Sequence, residues 1–320
     1  MNKAIAFCAA LAVAFGGWGC NLSNEDLEFL YALPSRETLQ ARAPGDGTGT
    51  SKGALGQRRD ALAVGDDSEG RKHTVGAAQS FNALVFGVLD VVEKVRRLRP
   101  SERTEDRRVW GPFDDDHDKD KQVRLIIARS IESDGTLSYE WRVEFRRKST
   151  GGDWTAGVEG FFAATKDVRR GSGSFSFDAL RLRDAGLQGP DDDPNLHKLE
   201  FDYVTDEEPV EIGVRLFAAE GMGTSAASYA SDGSGAVRTL ITANVGGTPA
   251  QEQLYIDSRW VADGAGRANM EITGGDLGQS RVTAIECWDA QGKVVYARPW
   301  ELFKPDVGNV NDCAVPPATP

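Results

Sequence analysis

The chain has 320 residues, of which 40% are hydrophobic, and it carries a formal net charge of −12 at pH 7. Such an acidic surface repels phosphate backbones, so nucleic acid is excluded from the expected partners. Three histidines and 36 glycines are more typical of a turn-rich β protein than of a metalloenzyme, and the sequence predicts no cofactor.

The N-terminus has the order of charges and apolar residues that is typical of a secretory leader. Met1–Lys3 carry one positive charge, and Ala4–Phe15 contain no charged side chain. A membrane span needs about 20 apolar residues, whereas the apolar region of a signal peptide has roughly 7–15. Residues 1–19 are therefore predicted to be a signal peptide. The alternative is a buried N-terminal helix of a cytoplasmic protein.

Two cleavage points compete at the end of this leader. Ala12-Val13-Ala14 has the A-x-A form that the ordinary signal peptidase recognises. Gly17-Trp18-Gly19-Cys20 resembles the lipobox of bacterial lipoproteins, in which small residues precede a cysteine that is lipidated and becomes the first residue. The stretch departs from that family at Gly17, where Leu is usual, and at Trp18, where a small residue is usual. The resemblance implies a lipid on Cys20 and, through it, a membrane anchor.

The number of cysteines bears on the same choice. The chain has four, and Cys8 leaves with the leader under either cleavage. If Cys20 carries a lipid, Cys287 and Cys313 remain as an even pair in an oxidising compartment, where a disulfide is expected. The alternative is two buried free thiols.

A polar segment follows Cys20. Asn24–Leu33 is a short helical candidate with Ser23 as its N-cap, and Pro34 stops it. Residues 43–74 are rich in Gly, Ala, Asp and Ser without periodic apolar positions, which is typical of a flexible tether. Residues 20–73 are therefore predicted to be a lipid-anchored segment and tether.

Residues 74–98 give the strongest helix prediction. Apolar residues recur there at spacings of three and four, with polar side chains on the opposite side. Asp90 interrupts the apolar run and Pro100 ends it, so the helix is expected to cover a core and not to cross a membrane. The apolar stripe consists of Phe81, Leu84, Val85, Val88, Val92, Val95 and Leu98.

From Val109 onward the hydrophobic period changes to two, which predicts half-buried strands. About a dozen strands fit between residues 107 and 298, and Asp-Gly pairs between them predict hairpin turns. We expect a mainly β domain over residues 74–298. A large antiparallel meander would form a curved, partly open barrel or a sandwich, packed on the amphipathic helix 74–98. The Pro-rich residues 299–320 are expected to be an irregular tail.

One acidic stretch has part of the residue spacing that a calcium-binding loop requires. Asp114, Asp116 and Asp118 alternate like the ligands of an EF-hand loop, which also needs Gly at position six and Glu at position twelve. Lys119 and Leu125 occupy those places. The stretch is interpreted as a solvated acidic hairpin loop, with calcium in a looser site as the alternative.

The sequence contains no HExxH, Cys-x-x-Cys or P-loop motif and no G-x-S-x-G nucleophile elbow between a strand and a helix, so no catalytic residue is assigned. Trp110, Trp141 and Trp288 are interpreted as core side chains, with a carbohydrate- or lipid-contacting patch as the alternative.

Five stretches carry a family resemblance. The leader, "LYALPSRETLQARAP", "VWGPFDD" (109–115), "YEWRVEFR" (139–146) and "ECWDAQGKVVY" (286–296) resemble uncharacterised lipoproteins of Myxococcota-type bacteria. This resemblance implies no activity. The outline of a half-open sheet around one helix is similar to that of lipoprotein carriers of bacterial envelopes, and this similarity is one of architecture alone.

The expected function is that of a non-enzymatic envelope lipoprotein. The membrane would be its partner through the N-terminal lipid, and an apolar ligand or lipid, or envelope proteins, would bind its domain. An anchored or secreted hydrolase on a β scaffold and a structural module of an outer-membrane complex are the alternatives. Asn21, which follows the lipidated position, favours the outer membrane over the inner one.

Overall fold

The computed structural model describes residues 23–44, 63–95, 98–115, 118–189, 192–219, 221–243, 250–300 and 304–317. The predicted signal peptide, Cys20, Asn21 and Asp116 lie outside the described residues, as do residues 45–62 of the predicted tether.

Four helices and fifteen strands form the described part of the chain. The helices are α1 (Asn24–Tyr31), α2 (Arg36–Leu39), α3 (Glu69–Val95) and α4 (Ala179–Asp184). The strands are β1 (Glu102–Arg103), β2 (Arg107–Asp114), β3 (Lys121–Ile131), β4 (Leu137–Arg147), β5 (Thr155–Asp167), β6 (Arg170–Asp178), β7 (Leu196–Val204), β8 (Val210–Ala218), β9 (Gly221–Tyr229), β10 (Gly235–Ala243), β11 (Glu252–Trp260), β12 (Gly266–Gly274), β13 (Arg281–Trp288), β14 (Val294–Arg298) and β15 (Val307–Gly308).

The strands lie in the sheet in the same order as in the chain, from β1 to β15. Every strand pair whose register is described is antiparallel. The prediction of a mainly β, antiparallel meander is therefore confirmed. The sheet is open, because β1 and β15 lie at its two ends. Predicted hairpin turns are present, as at Gly135 and Gly264, where φ values of +85° and +89° favour glycine.

The chain divides into two compact units. The first unit contains the described residues within 23–40, 83–207 and 214–219. The second contains those within 41–82, 208–213 and 221–317.

In the first unit, α1 is the helix predicted over residues 24–33, and it ends at Tyr31. Ser23 caps it through a capping box with Asp26, whose amide donates to the Ser23 hydroxyl. Asp26 is fully buried and also accepts hydrogen bonds from Arg103 and Arg108 at 3.0–3.3 Å. Burial alone would raise the pKa of Asp26, but the bonds from Arg103, Ser23 and Arg108 outweigh burial and lower the pKa to about 2.

Aromatic side chains fill the core of the first unit on one face of its strands. The register places Trp141 opposite Gly160, and Gly160 opposite Phe175. A Cβ atom on Gly160 would lie 2.2 Å from the Trp141 indole, so only glycine leaves room for this ring. The row continues to Phe201, whose ring stacks on Phe175 at a centroid distance of 4.4 Å.

The second unit repeats this pairing of tryptophan and glycine in two neighbouring hairpins. Trp260 lies against Gly235 and donates from Nε1 to the carbonyl of Gly233 at 3.1 Å. Trp288 lies against Gly266 and donates from Nε1 to the carbonyl of Gly264 at 2.9 Å. Each Asp-Gly turn is thus held by the tryptophan of a later strand.

In the second unit, α3 begins at Glu69, five residues before the predicted Thr74, so residues 69–73 belong to a helix and not to a tether. The Glu286 carboxylate on β13 accepts hydrogen bonds from the Ser68 hydroxyl and the Gly70 amide. Burial raises the pKa of Glu286, which these two bonds partly oppose. The helix start therefore depends on a residue more than 200 positions away, which local sequence patterns cannot indicate.

The predicted irregular tail contains one more strand. Val307–Gly308 forms β15, which pairs with β14, and a short 3₁₀ turn follows at Val310–Asp312. Cys287 and Cys313, the pair predicted from the cysteine count, are joined by a disulfide with a Cα–Cα distance of 5.4 Å. None of the helices within the described ranges is long and apolar enough to cross a membrane.

Candidate functional site

A groove of about 520 Å³ lies on the solvent side of strands β3–β8 in the first unit. Successive residues of a strand alternate between faces, so this groove lies opposite the aromatic core described above. Two neighbouring rows in register form most of it: Ile126, Arg142, Glu159, Ser176 and Glu200 in one, and Ala128, Glu140, Phe161, Ser174 and Asp202 in the other.

The middle of the groove is made of small or apolar side chains. Ser174 and Ser176 of β6 are neighbours on one face of the strand, and Phe161 lies opposite Ser174 on β5. The Phe161 side chain is 40% exposed, which is unusual for a phenylalanine inside a sheet row. This part of the groove therefore offers hydroxyl groups beside one accessible aromatic ring.

Ion pairs occupy the end of the groove formed by β7 and β8. Arg215 donates to both Glu200 and Asp202 at 3.1 Å, and Lys198 Nζ lies 2.8 Å from Glu200. The hydrogen bond from Lys198 is the main reason why the pKa of Glu200 is lowered.

These pairings bear on what the groove can do chemically. Glycoside hydrolysis needs one carboxyl group with a raised pKa as the general acid. Glu200 is shifted in the opposite direction, and Asp202, two residues further along β7, shares Arg215 with it. Arg215 and Lys198 therefore hold Glu200 and Asp202 as hydrogen-bond acceptors.

The described candidate calcium residues, Asp114 and Asp118, form ion pairs with two different basic side chains. Asp114 accepts from the Gln122 amide at 3.1 Å and pairs with Lys148, and the Gln122 bond is the main cause of its lowered pKa. Asp118 pairs with Arg147 at 2.7 Å. Within the described ranges, no three His, Cys, Asp or Glu side chains are grouped so that they could hold a metal ion.

The three tryptophans singled out in the sequence lie in the core. Trp110 and Trp288 are fully buried, and Trp141 is nearly so. Trp110 donates from Nε1 to the carbonyl of Leu98 at 3.1 Å. They are core side chains, as interpreted from the sequence, and Trp141 also lines the groove.

Sequence reasoning missed the groove, although one signal for it exists. The outward positions of β4 and β7 are mainly charged, whereas the three central ones of β6 are Ser172, Ser174 and Ser176. Small hydroxyl side chains in the middle of a charged face leave a depression, and the stretch "RGSGSFSFD" shows this change of residue type.

Comparison of the chain with protein-family models, with curated proteins and with solved structures found no match.

Proposed function

We propose that this protein is a lipid-anchored envelope protein whose β domain binds a polar, largely uncharged ligand, for which a glycan segment is the best chemical fit. The groove across β3–β8 carries this proposal. Its volume of about 520 Å³ lies within the range of roughly 300–1,000 Å³ that is usual for small-molecule sites.

The chemistry of the groove fits a polyhydroxylated ligand. Paired carboxylates and guanidinium groups present fixed acceptors and donors without a large net charge, as Arg215 does between Glu200 and Asp202. The exposed Phe161 ring offers an apolar surface on which the flat C–H face of a sugar can pack. Ser174 and Ser176 add hydroxyl groups between the ring and the ion pairs.

The apolar ligand expected from the sequence fits this groove less well. No residue of α3 lines the groove, and Phe81, Val85, Leu89 and Val92 of that helix are buried in packing. A carrier would instead need an apolar cavity next to the helix. Native mass spectrometry of the purified chain separates the two ideas, because a carrier retains a bound lipid through purification.

The anchor is proposed from the sequence. The Gly19-Cys20 junction and the even pair Cys287 and Cys313 support lipidation of Cys20, and Asn21 favours the outer membrane. The mass of the mature N-terminus tests this point. A diacylglyceryl group on Cys20 is expected, whereas an unmodified N-terminus at Phe15 would contradict it.

Isothermal titration of the full-length chain with neutral oligosaccharides of two to four sugar units tests the groove. Phe161→Ala is expected to weaken binding at least tenfold, because it removes the stacking surface. Ile131→Ala is the matched control, since Ile131 is 70% exposed on β3 and does not line the groove. Equal affinities for the two variants, or no binding by the unmodified chain, would reject the glycan proposal and favour a structural module.

A further inference from the structure

A second cavity, of about 500 Å³, lies on the surface of β10–β12 in the second unit. Three arginines from three strands converge there. The register places Arg238 opposite Asp257 and Arg259 opposite Arg267, so the four side chains occupy two neighbouring rows. We call this cavity the arginine cleft, and Tyr255, Asn269 and Pro317 complete its lining.

The positive charge of the arginine cleft exceeds its negative charge. Asp257 is buried and accepts from Arg238 at 3.3 Å and from Arg259 at 3.0 Å, so one carboxylate serves two guanidinium groups. With Arg267 included, the lining carries a net charge of +2. This surplus occurs on a chain whose own net charge is −12.

Arg267 is the least balanced group of the cleft. Its side chain is 4% exposed, and its Nε donates to the Asn269 amide oxygen at 2.8 Å. Its Nη1 is buried and has no hydrogen-bond partner among the described residues. Burial lowers the pKa of Arg267; the Tyr296 hydroxyl opposes this shift and the Arg298 guanidinium adds to it.

A buried charge without a partner destabilises the fold. None of the carboxylates in the described residues forms an ion pair with Arg267. A bound anion would supply the missing partner, because guanidinium groups bind phosphate and carboxylate oxygens through paired hydrogen bonds.

We propose that the arginine cleft is a binding site for a phosphate monoester group. A phosphate monoester carries a charge of about −1.5 to −2 at pH 7, which matches the surplus of the cleft. Arg267 is held in place by Asn269 and by burial, whereas Arg238 and Arg259 are partly exposed and can turn toward the anion. The cavity is larger than phosphate alone and admits the organic part of a small ligand. This inference does not rest on the function proposed for the groove.

Isothermal titration of the full-length chain with inorganic phosphate and glycerol 3-phosphate tests the site, with acetate at equal ionic strength as the monoanion comparison. Saturable phosphate binding is expected, and the double variant R238Q/R259Q and the variant Arg267→Met should each weaken it at least tenfold. The double variant changes only partly exposed side chains, so it keeps the test valid if Arg267→Met does not fold. Arg281→Gln is the control, because Arg281 is 71% exposed on β13 and its replacement removes one positive charge outside the cleft, as Arg267→Met does inside it.

The source of the phosphate group is resolved by a vesicle experiment. Flotation with phosphatidic acid vesicles, compared with phosphatidylcholine vesicles, is measured for the same variants. If the chain floats with phosphatidic acid vesicles and the cleft variants do not, the ligand is a lipid headgroup. If the cleft arginines are needed for binding glycerol 3-phosphate but the chain does not float with these vesicles, the ligand is soluble. The absence of saturable phosphate binding, or equal binding by R238Q/R259Q and Arg281→Gln, would overturn the proposal.

Discussion

Asp26 and Arg267 are both buried charges, but their surroundings differ. Asp26 accepts hydrogen bonds from two arginines and from the backbone of Ser23, and its pKa is lowered to about 2. Arg267 has one amide oxygen as its partner, and its pKa is lowered by burial. A fully bonded buried charge holds the fold together, whereas a poorly bonded one costs stability until a ligand supplies the missing bonds.

The largest expected effect comes from removing the bonded charge. Asp26→Ala would leave Arg108 buried beside an empty position, and breaking a buried pair in this way costs about 3–5 kcal/mol. Glu25→Ala is the control, because Glu25 also pairs with Arg108 but is 78% exposed. Urea unfolding measures both variants. If Asp26→Ala lost no more stability than Glu25→Ala, the Asp26 cluster would not support the fold as described.

The disulfide gives a way to loosen the tail beside Arg267 without changing the arginine. Cys287 lies opposite Arg267 in the register, and Pro317 of the tail lines the arginine cleft. Replacing Cys313 by Ser opens a link between residues 26 positions apart, which costs about 3–4 kcal/mol in the chain-entropy model. Thermal unfolding with and without reductant checks this. Reductant should lower the midpoint of the unmodified chain and leave that of the variant unchanged.

The third largest expected effect is the loss of stability at low pH that results from protonation of Asp26. Because its pKa falls from 3.8 to about 2 on folding, ionised Asp26 contributes about 2 kcal/mol to the free energy of unfolding. This contribution is complete above pH 4 and is lost as the pH falls through 2. The free energy of unfolding measured from pH 5 to pH 2 should drop less for Asp26→Asn than for the unmodified chain. If the free energy of unfolding dropped equally for both chains, the lowered pKa of Asp26 would be contradicted.

The smallest expected effect distinguishes Arg267 most clearly from Asp26. Arg267→Met removes a guanidinium that has no carboxylate partner in the described residues and keeps an apolar side chain of similar length. Without phosphate, removal of this poorly bonded charge should leave the free energy of unfolding unchanged or raise it. With phosphate present, the unmodified chain alone should gain stability. A loss as large as that of Asp26→Ala would show that Arg267 has a structural role like that of Asp26.

The elements that depend on local patterns could be predicted from the sequence. The α1 cap follows from Ser23 and Asp26, and the strands follow from alternating residues such as Tyr139 and Trp141. The start of α3 could not be predicted, because Glu286 comes from a distant strand. The same holds for the strand β15, which exists only through its pairing with β14.

The two candidate sites could not be predicted from local sequence patterns, because their residues come from several strands. In the sequence, Arg238, Arg259 and Arg267 are single outward charges on three strands, each typical of a solvated face. Their convergence depends on the register between β10, β11 and β12, and the burial of Arg267 depends on tertiary packing. The groove residues are spread over six strands in the same way.

The short end strands have a consequence for association between copies of the chain. A sheet edge exposes unpaired amide and carbonyl groups that recruit other strands, and long flat edges promote aggregation. Here the strands at the two ends of the described sheet, β1 and β15, contain two residues each. The β1 edge carries the charged side chains of Glu102 and Arg103, and β15 contains a glycine with a positive φ, Gly308. The two end strands of the described sheet are thus short templates for an incoming strand, which disfavours growth of the sheet by edge-to-edge addition.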